Sequence, residues 1–368
     1  MPKLFLYIRK TFKSLINKEF MKYIFLSFTF FLFLVSCNQK NEKTIFSKVE
    51  LRTIYSDSIS CRAISLYKEE LWFAGNNGKY GVIDLNSEEK IFKGRIQNDS
   101  IFPEFRSIAT TDNGTFLLSV ANPALLYRIS PDRKIVKTVY QEVNEKVFFD
   151  SMNFLNNEFG LAMGDPVDNC LNVIETQDGG NTWNKIACEN LPNVIEGEAA
   201  FAASNSNLIM KRNSIFLVSG GKKARCFVSN DKGKTWNVYE TPIVQGEAMT
   251  GIFTADFYDE NIGIIAGGNY EKQENNFKNK AITTDGGKTW KLVAEGSGFG
   301  YASCVQFIPN SDGNEIVCVG GTGIHYSSDR GESWKLLNDT KDLFTLRFQS
   351  DSVAYAAGKN KIVKLEFK

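Results

Sequence analysis

Arginines and carboxylates gather at a few places in this 368-residue chain, and together they suit the gripping of an acidic group or the cleavage of a glycoside. Arg62, Arg106 and Arg347 lie near the starts of predicted inner strands, with Arg225 on another strand. A guanidinium presents a planar fork that binds a carboxylate through two parallel hydrogen bonds. Asp150, Asp165, Glu196 and Glu198 could serve as acid and base, but glycoside hydrolysis also requires a set separation between them, which spacing along the chain does not fix. The same side chains serve equally to line a wet central channel. Metal and redox chemistry find less support. There is one histidine, no C-x-x-C among seven cysteines and no strand-linked G-x-G-x-x-G, so neither a metal nor a cofactor is expected. His325, between Ile324 and Tyr326 on a predicted strand, reads as a surface or core residue.

The elements that must position these groups announce themselves by repetition. The phrase [ST]-x-D-x-G-x-[ST]-W occurs four times, with its aspartates at Asp178, Asp231, Asp285 and Asp329 and its tryptophans at Trp183, Trp236, Trp290 and Trp334. The aspartates are 53, 54 and 44 residues apart, which implies one supersecondary unit per period. Each part has a turn function. The carboxylate accepts from backbone N–H groups just ahead, and the Ser/Thr hydroxyls add local bonds. The glycine two positions later takes positive φ. The tryptophan begins the next strand and wedges apolar area against a neighbour. The phrase resembles the Asp box, or BNR repeat, of β-propellers such as sialidases. Its carboxylates are occupied by the turn, which argues against a catalytic role for them.

Strands can be laid out around these turns. A second-strand phrase recurs as Leu161–Gly164, Ile264–Gly267, Val317–Gly320 and Tyr355–Gly358, with a phenylalanine ten residues earlier at Phe154, Phe257 and Phe348. Inner strands then begin near Cys61, Arg106, Phe148, Glu198, Gly251, Tyr301 and Leu343. The reading is all-β: a seven-bladed β-propeller with Asp-box hairpins. The last unit supplies only three strands, and the stretch 45–55 supplies the fourth, so that an N-terminal strand closes the ring and removes open edges.

The amino terminus reads as an export signal. Residues 23–35 are apolar or hydroxyl-bearing, follow Lys22 and precede Ser36-Cys37. The run is too short for a spanning helix and has the layout of a secretory signal peptide. Leu34-Val35-Ser36-Cys37 resembles a bacterial lipobox, by which Cys37 becomes a lipidated first residue. Residues 1–36 are then the signal, with 1–20 upstream of Met21 as the true start. Residues 37–43 are the lipidated cysteine and tether, and 44–368 the propeller. An exported chain permits disulfides, and Cys170/Cys188 and Cys304/Cys318 are placed for cross-strand bridges, with free buried thiols as the alternative.

Several stretches together resemble the photosystem II stability/assembly-factor-like family of BNR-repeat propellers, in a bacterial lipoprotein form, over residues 45–368. Beside the four turns they are Phe105-Arg106-Ser107-Ile108, Asn122-Pro123-Ala124, Phe148-Phe149-Asp150, Gly164-Asp165-Pro166, Gly197–Ser204, Ala224-Arg225, Thr241-Pro242 and Gly267-Gly268-Asn269-Tyr270. The resemblance implies an exported scaffold that binds a partner during assembly. The first two units depart from the pattern by lacking the turn phrase, and the loop Tyr270–Lys280 is long and charged.

With 43 basic and 42 acidic residues, net charge is +1, and no field favours nucleic acid. The expected function is a non-catalytic binding or assembly scaffold, monomeric and held by lipid on Cys37 to a bacterial envelope membrane, on its periplasmic or cell-surface side. A protein or glycan partner would meet Arg62, Arg106, Asp150, Asp165, Glu198, Arg225 and Tyr270 converging at one channel mouth. The alternative is a sialidase-like glycoside-processing enzyme, which requires three arginines around one point and a Tyr–Glu pair opposite.

Overall fold

The four repeated phrases close four hairpins, and each does so with the same bonds. In the computed structural model, which describes residues 45–368, Asp285 Oδ1 accepts from the Thr289 N–H at 2.9 Å and Oδ2 accepts from the Thr289 hydroxyl at 2.6 Å. The Thr283 hydroxyl donates to Asp285 Oδ1 at 2.8 Å and accepts from the Gly287 N–H at 3.0 Å. The turns at Asp178, Asp231 and Asp329 repeat this arrangement. The turn requires positive φ at Gly287, which has φ 80°, a value that strains any side chain-bearing residue. Trp290 and Trp334 then stand edge-on to Phe257 and Phe299, and Trp183 to Phe154. The signal peptide, Cys37 and the tether lie outside the described residues.

The hairpins build antiparallel sheets arranged around a common axis. Six sheets are present among the described residues, not the expected seven. The difference lies at the closure. Strand Val49–Tyr67 runs through 19 residues, pairing over Val49–Ser60 with Val353–Phe367 and over Cys61–Tyr67 with Glu70–Gly75. The expected first and last units are thereby one continuous six-stranded sheet. Apolar clusters fill the gaps between sheets, as where Phe216, Cys226 and Val228 meet Ile252, Phe257 and Ile265.

A second departure occurs at the fourth expected unit. Glu198–Ala199 is a two-residue strand paired with Gly220–Gly221, and the innermost strand of that unit is Leu208–Lys211. The intervening residues 200–207 cross the axis and bond to each of the other five sheets. The Asn205 amide donates to the Ile108 carbonyl and accepts from the Met152 N–H, both at 2.8 Å. The Ser204 hydroxyl donates to the Ser303 carbonyl at 2.7 Å, and the Ser206 carbonyl accepts from the Ala255 N–H at 3.0 Å. Arg347 Nη2 donates to the carbonyls of Ser204 and Asn205, each at 3.0 Å. Small and amide side chains suit this place because a segment with no sheet of its own must satisfy its backbone from its neighbours.

Cys170 and Cys188 form a disulfide with their Cα atoms 5.5 Å apart. Cys304 and Cys318 are free and buried. A bulge between Ala302 and Cys304 sets Cys304 opposite Val319, and Val305 opposite Cys318. The two thiols therefore face different inter-sheet cores and cannot meet, since adjacent strand positions point to opposite faces.

Candidate functional site

One end of the inner strands carries a cavity of about 410 Å³ lined by Arg62, Arg106, Asp165 and Tyr270. Its floor is the start of the axial segment, Ala199 to Ala203, and its wall is aromatic: Phe201, Phe253 and Tyr301. Phe201 and Phe253 are stacked with centroids 3.8 Å apart, and Tyr301 stands edge-on to Phe253 at 4.9 Å. Tyr270 meets Tyr301 edge-on at 5.2 Å and is 38% exposed, so it forms the rim. A mainly apolar recess with a few converging charges is the usual form of a binding site.

The charges are held by the fold. Arg62 donates from Nη1 to the Ala203 carbonyl at 3.1 Å and lies over the Phe344 ring at 4.1 Å. Arg106 donates from Nε to Glu104 at 2.8 Å. Asp165 Oδ1 accepts from the Ala200 N–H at 2.7 Å. Burial is the larger influence on this carboxylate and raises it to about 6. Asp150 lies beneath, fully buried, with no side-chain partner for its carboxylate. Burial pushes it well above the usual carboxylate range, and the neighbouring Asp165 adds to the rise while Arg106 opposes it. An unpaired charge in such a place is costly enough that the neutral acid is favoured.

Glu198 and Arg225 are spent on each other. Arg225 Nε donates to Glu198 Oε1 at 3.0 Å and Nη2 to Oε2 at 2.5 Å, with the Ser219 hydroxyl donating to Oε1 at 2.5 Å. The pair is buried and braces the wall of an adjoining cavity of about 500 Å³, which shares Asp165 and Ala199 with the first and carries Asp168, Glu196 and Lys146. Of the seven residues expected at one mouth, four line the cavity, Asp150 supports it from below, and Glu198–Arg225 frames its neighbour. Phe201, Phe253 and Tyr301 escaped sequence reasoning as site residues. Phe201 lies within the Gly197–Ser204 stretch and Tyr301 at the start of an expected inner strand, whereas nothing in the sequence marks Phe253.

The opposite end of the same strands holds a separate cavity of about 420 Å³, reached by Ser65, Asn153, Lys211, Asp256, Gln306 and Arg347. Asn205, further along the axial segment, lies at this end, so residues 199–205 divide one mouth from the other. Arg347 belongs here, and Arg62 and Arg106 to the first mouth. The three-arginine grouping that a sialidase-like site needs is therefore not assembled from these arginines.

Comparison with known proteins agrees with this architecture. A family model described as Sortilin, neurotensin receptor 3 (Sortilin-Vps10) matches residues 171–321. None of the curated proteins matches the chain. Among solved structures, YCF48 bound to a D1 peptide overlays with a TM-score of 0.61 at 14% identity, over 88% of this chain and 98% of that one. YCF48 from Cyanidioschyzon merolae gives 0.60 at 12%, over 87% and 98%. The WD40 repeats of RRP9 give 0.60 at 11%, over 87% and 98%. At these identities the likeness carries the fold, a β-propeller shared with YCF48-like and WD40 structures.

Proposed function

We propose that this chain is a non-catalytic binding or assembly scaffold that holds a segment of a protein partner at the Arg62–Arg106–Tyr270 mouth. The observation that carries the reading is the aromatic recess of Phe201, Phe253 and Tyr301, with two arginines and one carboxylate at its margin. An apolar side chain can enter it while flanking charges are met by fixed partners, which is how buried anchors fix an interface. The similar YCF48 structure holds a peptide, and a propeller that presents one face to an extended segment fits the same use. Export and lipidation at Cys37 belong to the same proposal. They would hold the face beside a membrane of the envelope, with the repeated turns acting as Asp-box, or BNR, staples.

The test is a photocrosslinking residue placed at Tyr270 in the full-length chain in cells. Protein adducts formed there and lost in an Arg62→Ala, Arg106→Ala variant are the expected result. Absence of adducts at Tyr270, with adducts at a control position on an outer hairpin, would overturn the reading. A glycoside-processing role is less well supported by the geometry, because Arg225 is committed to Glu198 and Arg347 to carbonyls of the axial segment.

A further inference from the structure

The cavity at the opposite mouth has no part in the partner-binding face, yet its lining is chemically specific. Four inner positions bring uncommitted polar groups to it. Lys211 Nζ, the Gln306 amide and the Ser65 hydroxyl make no hydrogen bond or ion pair among the described residues. Asn153 uses only its Oδ1, which accepts from the Phe154 N–H at 2.8 Å. Asp256, the one carboxylate in the lining, is already engaged: Oδ1 accepts from the Phe257 N–H at 2.9 Å and Oδ2 from the Phe307 N–H at 2.8 Å. Arg347 is likewise turned to the axial segment. What remains open is one ammonium, two amides and a hydroxyl; Phe154, Phe307 and Phe348 are packed against other rings, at Phe116 and Trp183, at Tyr258 and at Phe367.

We propose that this mouth binds a small sugar acid, a monosaccharide-sized ring bearing several hydroxyls and one carboxylate. Amides and hydroxyls both donate and accept, as sugar hydroxyls require. Lys211 supplies a point charge for the carboxylate; Lys211 and Arg347 both act on the charge of Asp256, so two cations face one carboxylate in this recess. A neutral polyol would leave Lys211 unused, and a bare inorganic anion would leave the Gln306 and Ser65 acceptors unused. The volume of about 420 Å³ falls within the range of small-molecule sites.

The experiment titrates D-glucuronate, D-glucose and acetate into the full-length protein in detergent, followed by calorimetry and saturation-transfer NMR. Glucuronate is expected to saturate with Kd below about 1 mM and to bind at least about tenfold more tightly than glucose or acetate. Lys211→Met should bring glucuronate down to the affinity of glucose with an unchanged thermal midpoint, whereas Tyr270→Ala at the other mouth should leave it unaltered. Should Lys211→Met disturb folding, Gln306→Ala is the second variant and should weaken glucuronate about three- to tenfold. No saturation by glucuronate at about 20 mM, equal affinity for glucose, or binding indifferent to both variants would overturn the proposal.

Discussion

Asp285 on an outer hairpin accepts hydrogen bonds from the Thr283 and Thr289 side chains, while Asp150 beneath the binding face has no side-chain partner. The same side chain thus occupies opposite circumstances in two regions. The turn aspartates are held below their ordinary range by neighbouring hydroxyls and N–H groups, as at Asp231, which falls to about 2. The face aspartates are driven up by burial, Asp165 to about 6. A carboxylate that is repeated, exposed and satisfied is a staple. One that is unrepeated, buried and unsatisfied costs stability, and a folded chain keeps it only where other interactions outweigh that cost. The comparison separates the part of the molecule that makes the ring from the part that uses it.

The greatest loss of stability should come from the buried, fully paired carboxylate that frames the adjoining cavity. Glu198→Ala strands the buried Arg225 guanidinium without its bidentate partner. Removing one half of a buried pair costs about 3–5 kcal/mol, which urea unfolding would read. Glu198→Gln should cost less, because its amide oxygen still accepts from Arg225.

Between the unfolded value near 3.8 and the folded value of about 6, Asp165 binds more protons folded than unfolded. Stability from this group is therefore greatest below pH 3.8 and is lost as pH rises to 6. The turn aspartates run the other way: their contribution is present above their unfolded value and lost as pH falls toward 2. Asp165→Asn should thus stabilise the chain at pH 7 by about 2–3 kcal/mol relative to its effect at pH 3.5. Thermal unfolding across that range checks it, and a variant with an unchanged pH slope would show that burial does not govern this carboxylate.

Much of the ring was legible because it repeats. The phrase around Asp178, Asp231, Asp285 and Asp329 specifies both a turn and its tryptophan wedge, so four hairpins could be placed from residue type alone. The sheet count was not legible. It depends on Val49–Tyr67 pairing along both edges, a long-range choice that leaves no local mark. The cysteine pairs show the same limit, since a single bulge near Cys304 decides which face its thiol meets. The charged site residues stood out, and four of them do line one cavity. The axial segment was not legible as such: an inner strand was expected to begin near Glu198, whereas only Glu198–Ala199 pairs and the residues beyond are held by bonds from five other sheets.

A third substitution tests whether staples are local. Asp285→Ala removes the acceptors for Thr283 and Thr289 on a hairpin open to solvent. A cost of about 1–2 kcal/mol is expected, with faster amide exchange confined to the Lys280–Thr283 and Lys291–Leu292 strands. Exchange spreading to the axial segment would show that the outer turns and the centre unfold together.

Tyr270 carries no part of the ring: it is 38% exposed, and its ring contacts are to Phe253 and Tyr301 at the face. Tyr270→Ala should therefore move the unfolding free energy by no more than about 0.5 kcal/mol. Partner capture at the mouth should nonetheless fall by at least about tenfold, since a rim aromatic contributes through contact area gained only on binding. A residue whose loss is felt in binding and not in folding belongs to the face alone. The converse result, a large loss of stability with capture intact, would assign Tyr270 to the ring and leave Arg62 and Arg106 to define the mouth.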